Sequence, residues 1–70
     1  SANQIWTYND LNYIYILDAA GRRIIILQKT GELKKQIMAA EFTNPASMII
    51  DELKGTAYVL DNNIVYQISL

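Results

Sequence analysis

The chain has 70 residues, 51% of them apolar, a formal net charge of −1, and neither cysteine nor histidine. These values leave out disulfide staples and histidine-based zinc sites together. They supply no basic stripe for nucleic acid, and no apolar run approaches the ~20 residues of a membrane span. A chain this short buries only about 60% of the surface its unfolded form exposes. With much to bury and no staple, it is expected to bury apolar surface against something else, through self-association or through further units of the same protein.

In chain order, the first predicted strand covers about 4–8, where Gln4-Ile5-Trp6-Thr7-Tyr8 mixes apolar and aromatic residues before Asn9-Asp10 breaks it. The second, 13–18, is apolar on both faces, and the chain turns at Asp18-Ala19-Ala20-Gly21. The third, 23–28, is apolar and β-branched. Lys29-Thr30-Gly31 leads into a fourth strand, 32–38, of mostly polar character. Ala39 to Asn44 then connects to Pro45, which cannot sit inside a central strand. Three more strands follow at 46–51, 56–61 and 64–69. The last two are joined by Asn62-Asn63, a pair suited to the positive φ values of a two-residue hairpin turn. Two segments also carry helix signals. Glu32 to Glu41 is rich in helix formers, and Pro45 could open a helix running to Glu52. The hairpin spacing behind Gly31 favours strand for the first of them.

The strands repeat. Ile5–Asp18 aligns without gaps on Met48–Asp61 at an offset of 43 residues, with Tyr15/Tyr58, Leu17/Leu60 and Asp18/Asp61 identical. Ile14/Ala57 and Ile16/Val59 are similar in kind. A period of ~40–45 residues filled with short strands is that of a propeller blade. The chain divides accordingly into a first unit, residues 1–44, and a second, 45–70, that lacks an outer strand. Middle strands apolar on both faces call for cover on both faces, whereas a simple sandwich gives clean alternation. Tyr13–Leu17 and Ile24–Leu27 do not alternate, so Ile25 and Val59 are both expected in strands covered on two sides. The expected fold class is all-β: β-propeller blades made of antiparallel meander sheets, as a fragment or as an oligomer-forming unit.

Tyr15-Ile16-Leu17-Asp18, two small residues, Gly21, then Arg23-Ile24 and Gly31-Glu32-Leu33 resemble the NHL-type repeat of six-bladed β-propellers. In that pattern a tyrosine-bearing strand ends in Asp, an Arg opens the next strand, and a Gly turn leads to the outer strand. Asn44-Pro45-Ala46-Ser47 is similar to the Pro-led start of each such blade. The second unit keeps Pro45, Tyr58 and Asp61 but lacks the Arg, shortens the hairpin, and has Ala46-Ser47 where a glycine is usual. The resemblance covers most of the chain. It implies a fold strongly and a function weakly.

Candidate sites are few. Asp18 and Asp61 end equivalent strands, where an Asp entering a turn caps its own backbone. Most aromatic residues suit half-buried strands; Trp6 and Tyr8, on a first strand, are the aromatic candidates for a ligand surface. Arg22 and Arg23 are the candidates for gripping a carboxylate or phosphate, beside the ordinary role of a solvated turn whose arginine stems cover strand residues. No catalytic residue, metal ligand or cofactor motif is legible. Asp51 and Glu52 are adjacent, so on a strand they would point to opposite faces. The function expected is that of a non-catalytic propeller segment, a binding or scaffold module working through loop faces or sheet edges. The alternative is a fragment of a lactonase- or lyase-like propeller enzyme whose catalytic residues lie in other blades. Expected partners are further blades or copies of the chain, with a protein or carbohydrate ligand at the loops. No compartment is indicated.

Overall fold

The computed structural model describes residues 3–70; Ser1 and Ala2, at the start of the first predicted unit, lie outside the described residues. The described residues are all-β, with no helix. The first sheet is a four-stranded meander of β1 (Asn3–Trp6), β2 (Tyr13–Asp18), β3 (Arg23–Gln28) and β4 (Leu33–Met38). The second is a three-stranded meander of β5 (Pro45–Asp51), β6 (Thr56–Asp61) and β7 (Ile64–Ser69). All pairings are antiparallel. Both segments with helix signals are strand: β4 completes the hairpin behind Gly31, and β5 hydrogen-bonds along β6, so pairing overrides local helix propensity.

Turn chemistry sets the boundaries. Asn62 and Asn63 have φ of 49° and 67°, the double left-handed geometry that matches strand twist in a two-residue hairpin. Gly31 and Gly55 supply positive φ at the β3–β4 and β5–β6 turns. β1 ends two residues earlier than predicted. Thr7 turns its hydroxyl to the Tyr13 carbonyl and Leu11 N–H closes on the Tyr8 carbonyl, so Tyr8 belongs to a turn and not to a strand. At the other edge, Pro45 opens β5 as its first residue, beside a bulge at Ala46, where a missing N–H on an edge strand does no harm.

The core lies between the two sheets. Tyr15, Leu17, Ile24 and Ile26 from the first sheet meet Met48, Ile50, Ala57 and Val59 from the second, and Phe42 closes one side from the β4–β5 connection. Trp6, Ile37, Tyr66 and Ile68 pack around them. Period-two geometry therefore assigns each sheet an inner and an outer face. Ile14, Ile16, Ile25 and Leu27 are half-buried on the outer face of the first sheet. Ile49, Leu60 and Val65 are exposed on the outer face of the second. Here the structure corrects the expectation of two-sided cover. Within one chain each sheet is covered on one face, because the described residues form two sheets to stack; Val59 is fully buried, and Ile25 is not.

Candidate functional site

Three sets of side chains merit consideration, and they lie in different places. Trp6 at the end of β1 and Tyr8 in the following turn stand edge to face, with ring centroids 5.6 Å apart. Trp6 is half-buried against the core, and Tyr8 is exposed. Lys29 donates to the Tyr8 carbonyl at 2.9 Å, tying the β3–β4 turn to this end of the sheet. Arg22, in the β2–β3 turn, and Arg23, the first residue of β3, sit at the opposite end, because β2 runs away from the first turn by its whole length. They do not act as a pair. Arg22 has a φ of 52° and is exposed, whereas Arg23 donates to Asp18 at 2.8 Å and to Gln36 at 2.6 Å. The structure thus brings Trp6 and Tyr8 together, and separates both from the arginines.

Two carboxylates do structural work that residue type alone did not reveal. Glu52, in the β5–β6 turn past the end of its strand, accepts from the Tyr15 hydroxyl at 2.6 Å and from the backbone and side-chain nitrogens of Asn12. It clamps the second sheet to the first. Desolvation by burial is the strongest influence on Glu52 and pushes its pKa up, but the donors from Tyr15, Asn12 and the Tyr13 backbone together outweigh it and hold the carboxyl below its ordinary range. Tyr15 responds oppositely: burial first, then the bond to Glu52, push its pKa upward. Asp61 is buried on the inner face and accepts from Thr43 N–H, the Thr43 hydroxyl and Asn44 N–H at 2.8–3.1 Å. Burial raises its pKa, and those three donors more than reverse the shift. Sequence reasoning missed Glu52 because its partners lie 37 and 40 residues away on the other sheet.

A half-open cavity of about 180 Å³ lies beside this clamp, bordered by Tyr13, Tyr15, Lys34, Lys35 and Glu52. Lys34 Nζ sits 4.6 Å from the Tyr13 ring centroid. The Tyr15 hydroxyl and Glu52 are already bonded to each other, so neither is free to orient a ligand there. Among the described residues no group of three Asp or Glu side chains converges as a metal site, and no helix is long and apolar enough to cross a membrane.

The largest unsatisfied features are the outer sheet faces and one edge. Edge strand β4 carries Lys34 and Lys35, the kind of charge that discourages strand pairing. Edge strand β7, Ile-Val-Tyr-Gln-Ile-Ser, carries none. Compared with known proteins, the chain matches no family model, no curated protein and no solved structure.

Proposed function

We propose that the chain is a non-catalytic segment of β-propeller type, with repeats similar to NHL-type blades, that acts as a binding and scaffold module. Its working surfaces are the outer sheet faces, the uncharged β7 edge and the loop ends. The observation that carries this reading is the parity of the stack. Tyr15 and Leu17 are on the inner face of the first sheet, whereas their repeat counterparts Tyr58 and Leu60 are on the outer face of the second. Opposite faces of equivalent sheets meet. Successive repeats added in one direction pack in this way, whereas sheets related by a two-fold axis bury the same face twice.

Two further features support the reading. Among the described residues the sheet strands approach within 8 Å along β1 and β2 against β5, so the sheets are closest on the side of their leading strands, as blades around a centre would be. The outer strand β4 is wet, with Ile37 alone half-buried. At the loops, the exposed Tyr8 beside Trp6 offers a stacking surface for a carbohydrate or protein ligand, and Arg22 offers an exposed cation.

A tandem chain tests the reading: two copies joined by a flexible linker as long as the Lys29–Asn44 segment that joins β3 to β5. If the outer faces are binding surfaces for sheets of their own kind, the tandem melts at least about 5 °C above the single chain, in one cooperative transition. Two units that melt independently, at the temperature of the single chain, would overturn it.

A further inference from the structure

The residues left uncovered on the outer faces are the repeat counterparts of those that fit together inside. Gln4, Trp6, Tyr15, Leu17, Ile24 and Ile26 form the inner face of the first sheet. Their counterparts by the 43-residue offset, and by cross-strand register on the third strand, are Ser47, Ile49, Tyr58, Leu60, Val65 and Gln67, the outer face of the second. In the same way Met48, Ala57, Val59, Tyr66 and Ile68, inside, correspond to Ile5, Ile14, Ile16, Ile25 and Leu27, outside. We infer that the partner of these surfaces is a second copy of this chain. It stacks head to tail, the outer face of one copy's second sheet on the outer face of the next copy's first. The inference rests on the blade-like reading of the previous subsection and adds the partner.

Side-chain volumes are complementary in part for this occupant. Where the outer face of the second sheet is smaller than its inner counterpart (Ile49 for Trp6, Val65 for Ile24, Gln67 for Ile26), the outer face of the first is in several places larger (Ile14 for Ala57, Ile16 for Val59). The gains at Ile14 and Ile16 offset part of the losses at Ile49, Val65 and Gln67, and close-packed interiors tolerate volume-conserving changes best. Gln4 to Ser47 and Tyr66 to Ile25 lower the volume further. Charge matches too. The middle of the second sheet's outer face carries none, and the charges on the first are the paired Asp18 and Arg23 at its end. Ile5 is 66% exposed and Val65 64%, so both faces are open in a single chain. A second copy supplies both complementary surfaces at once, and such a heterologous contact runs on until a ring closes or a stack grows.

The test is sedimentation of the purified chain and of two variants, Ile16→Asp on the first sheet's outer face and Leu60→Asp on the second's. The wild type is expected to sediment above its 8.0 kDa monomer mass at tens of micromolar. Each variant alone is expected to sediment as a folded monomer, since it lacks one of the two surfaces every contact needs. An equimolar mixture then recovers a dimer and stops there, because each variant retains the surface the other has lost. Should either variant unfold by circular dichroism, Ile5→Lys and Val65→Lys, at the more exposed positions, carry the same test. Three results would overturn the inference: a wild type that stays monomeric up to ~100 μM, variants that still self-associate through like faces, or a mixture that recovers nothing. A monomeric wild type alongside a stabilised tandem chain would sink only the second copy as partner; the failure of both would remove the blade-like reading as well.

Discussion

Asp18 and Asp61 are identical in type and equivalent in the repeat, yet their carboxylates hold different things. Asp18 accepts from Gly21 N–H at 3.1 Å and from Arg23, closing the four-residue turn that follows it. The Gly21 amide first, and Arg23 second, hold its pKa below the ordinary value. Asp61 is followed by a two-residue turn that needs no cap, so it reaches back to Thr43 and Asn44. Glycine at position 21 is required by space, not by φ: a Cβ there would lie 2.6 Å from Asp18 Oδ2. Gly21→Ala is therefore expected to destabilise the chain by about 1–2 kcal/mol in urea unfolding, in the usual range for a change that displaces a fixed group. Asn63→Gly should do the opposite. Asn63 sits at a φ of 67°, where Gly carries no Cβ penalty, so a gain of about 0.5 kcal/mol is expected in the same measurement. Asn62 is not equivalent to it, because its side chain donates to Thr43 at 2.8 Å.

Between elements, the chain joins its two sheets by an apolar layer and a few polar ties. Gln4 is one tie. Its amide both donates to the Met48 carbonyl and accepts from Met48 N–H, at 3.0 and 2.7 Å, pairing a side chain with the free edge of β5. Glu52 is the other, and it makes stability depend on pH. The folded pKa values of Glu52, Asp18 and Asp61 lie below the ordinary 4.5 and 3.8, so their contribution is complete above that range and is lost as pH falls through the folded values. The Tyr15 pKa is raised, so its contribution is complete below the ordinary 10.0 and is lost as pH climbs beyond it. Urea midpoints are expected to hold level near neutrality, to fall below about pH 4.5, and to fall again above about pH 10. Glu52→Gln should flatten part of the acid limb and Tyr15→Phe part of the alkaline one. If Tyr15→Phe leaves the alkaline limb unchanged, the clamp is not what weakens there.

For the molecule as a whole, the amount of exposed surface is ordinary. The chain exposes 4531 Å², against about 4,450 Å² expected for a monomer of this mass. What is unusual is where the apolar part lies: in two continuous faces on opposite sides of a two-layer stack. That arrangement separates stability from association. Val59 is fully buried, so Val59→Asp places an unpaired carboxylate in the core at a cost of several kcal/mol, comparable with the entire stability of a small domain. It should abolish the cooperative melt. Ile25→Asp, half-buried on an outer face, should leave the single chain folded while preventing the stacking of copies proposed above. If the two substitutions damage the isolated chain equally, the outer face of the first sheet is covered from within.

Local chemistry placed most of the strands and turns, though not the end of β1. Asn62-Asn63, Gly31 and Gly55 stand where the chain must reverse, and 13–18 and 23–28 are apolar enough to be recognised residue for residue. The 43-residue offset also placed Tyr58 and Asp61 at the positions of Tyr15 and Asp18 along their strands. What no local pattern carries is which face of each strand turns inward. Ile14, Tyr15, Ile16 and Leu17 are all apolar, so period two is silent just where the strands are most central. Stacking decided it, burying Tyr15 and Leu17 in one sheet and the counterparts of Ile14 and Ile16 in the other. The same stacking chose Glu52 as the clamp, because its partners are close only once the two sheets have met. A side chain's type is written in the chain, whereas its neighbours across a layer are set by the packing of that layer.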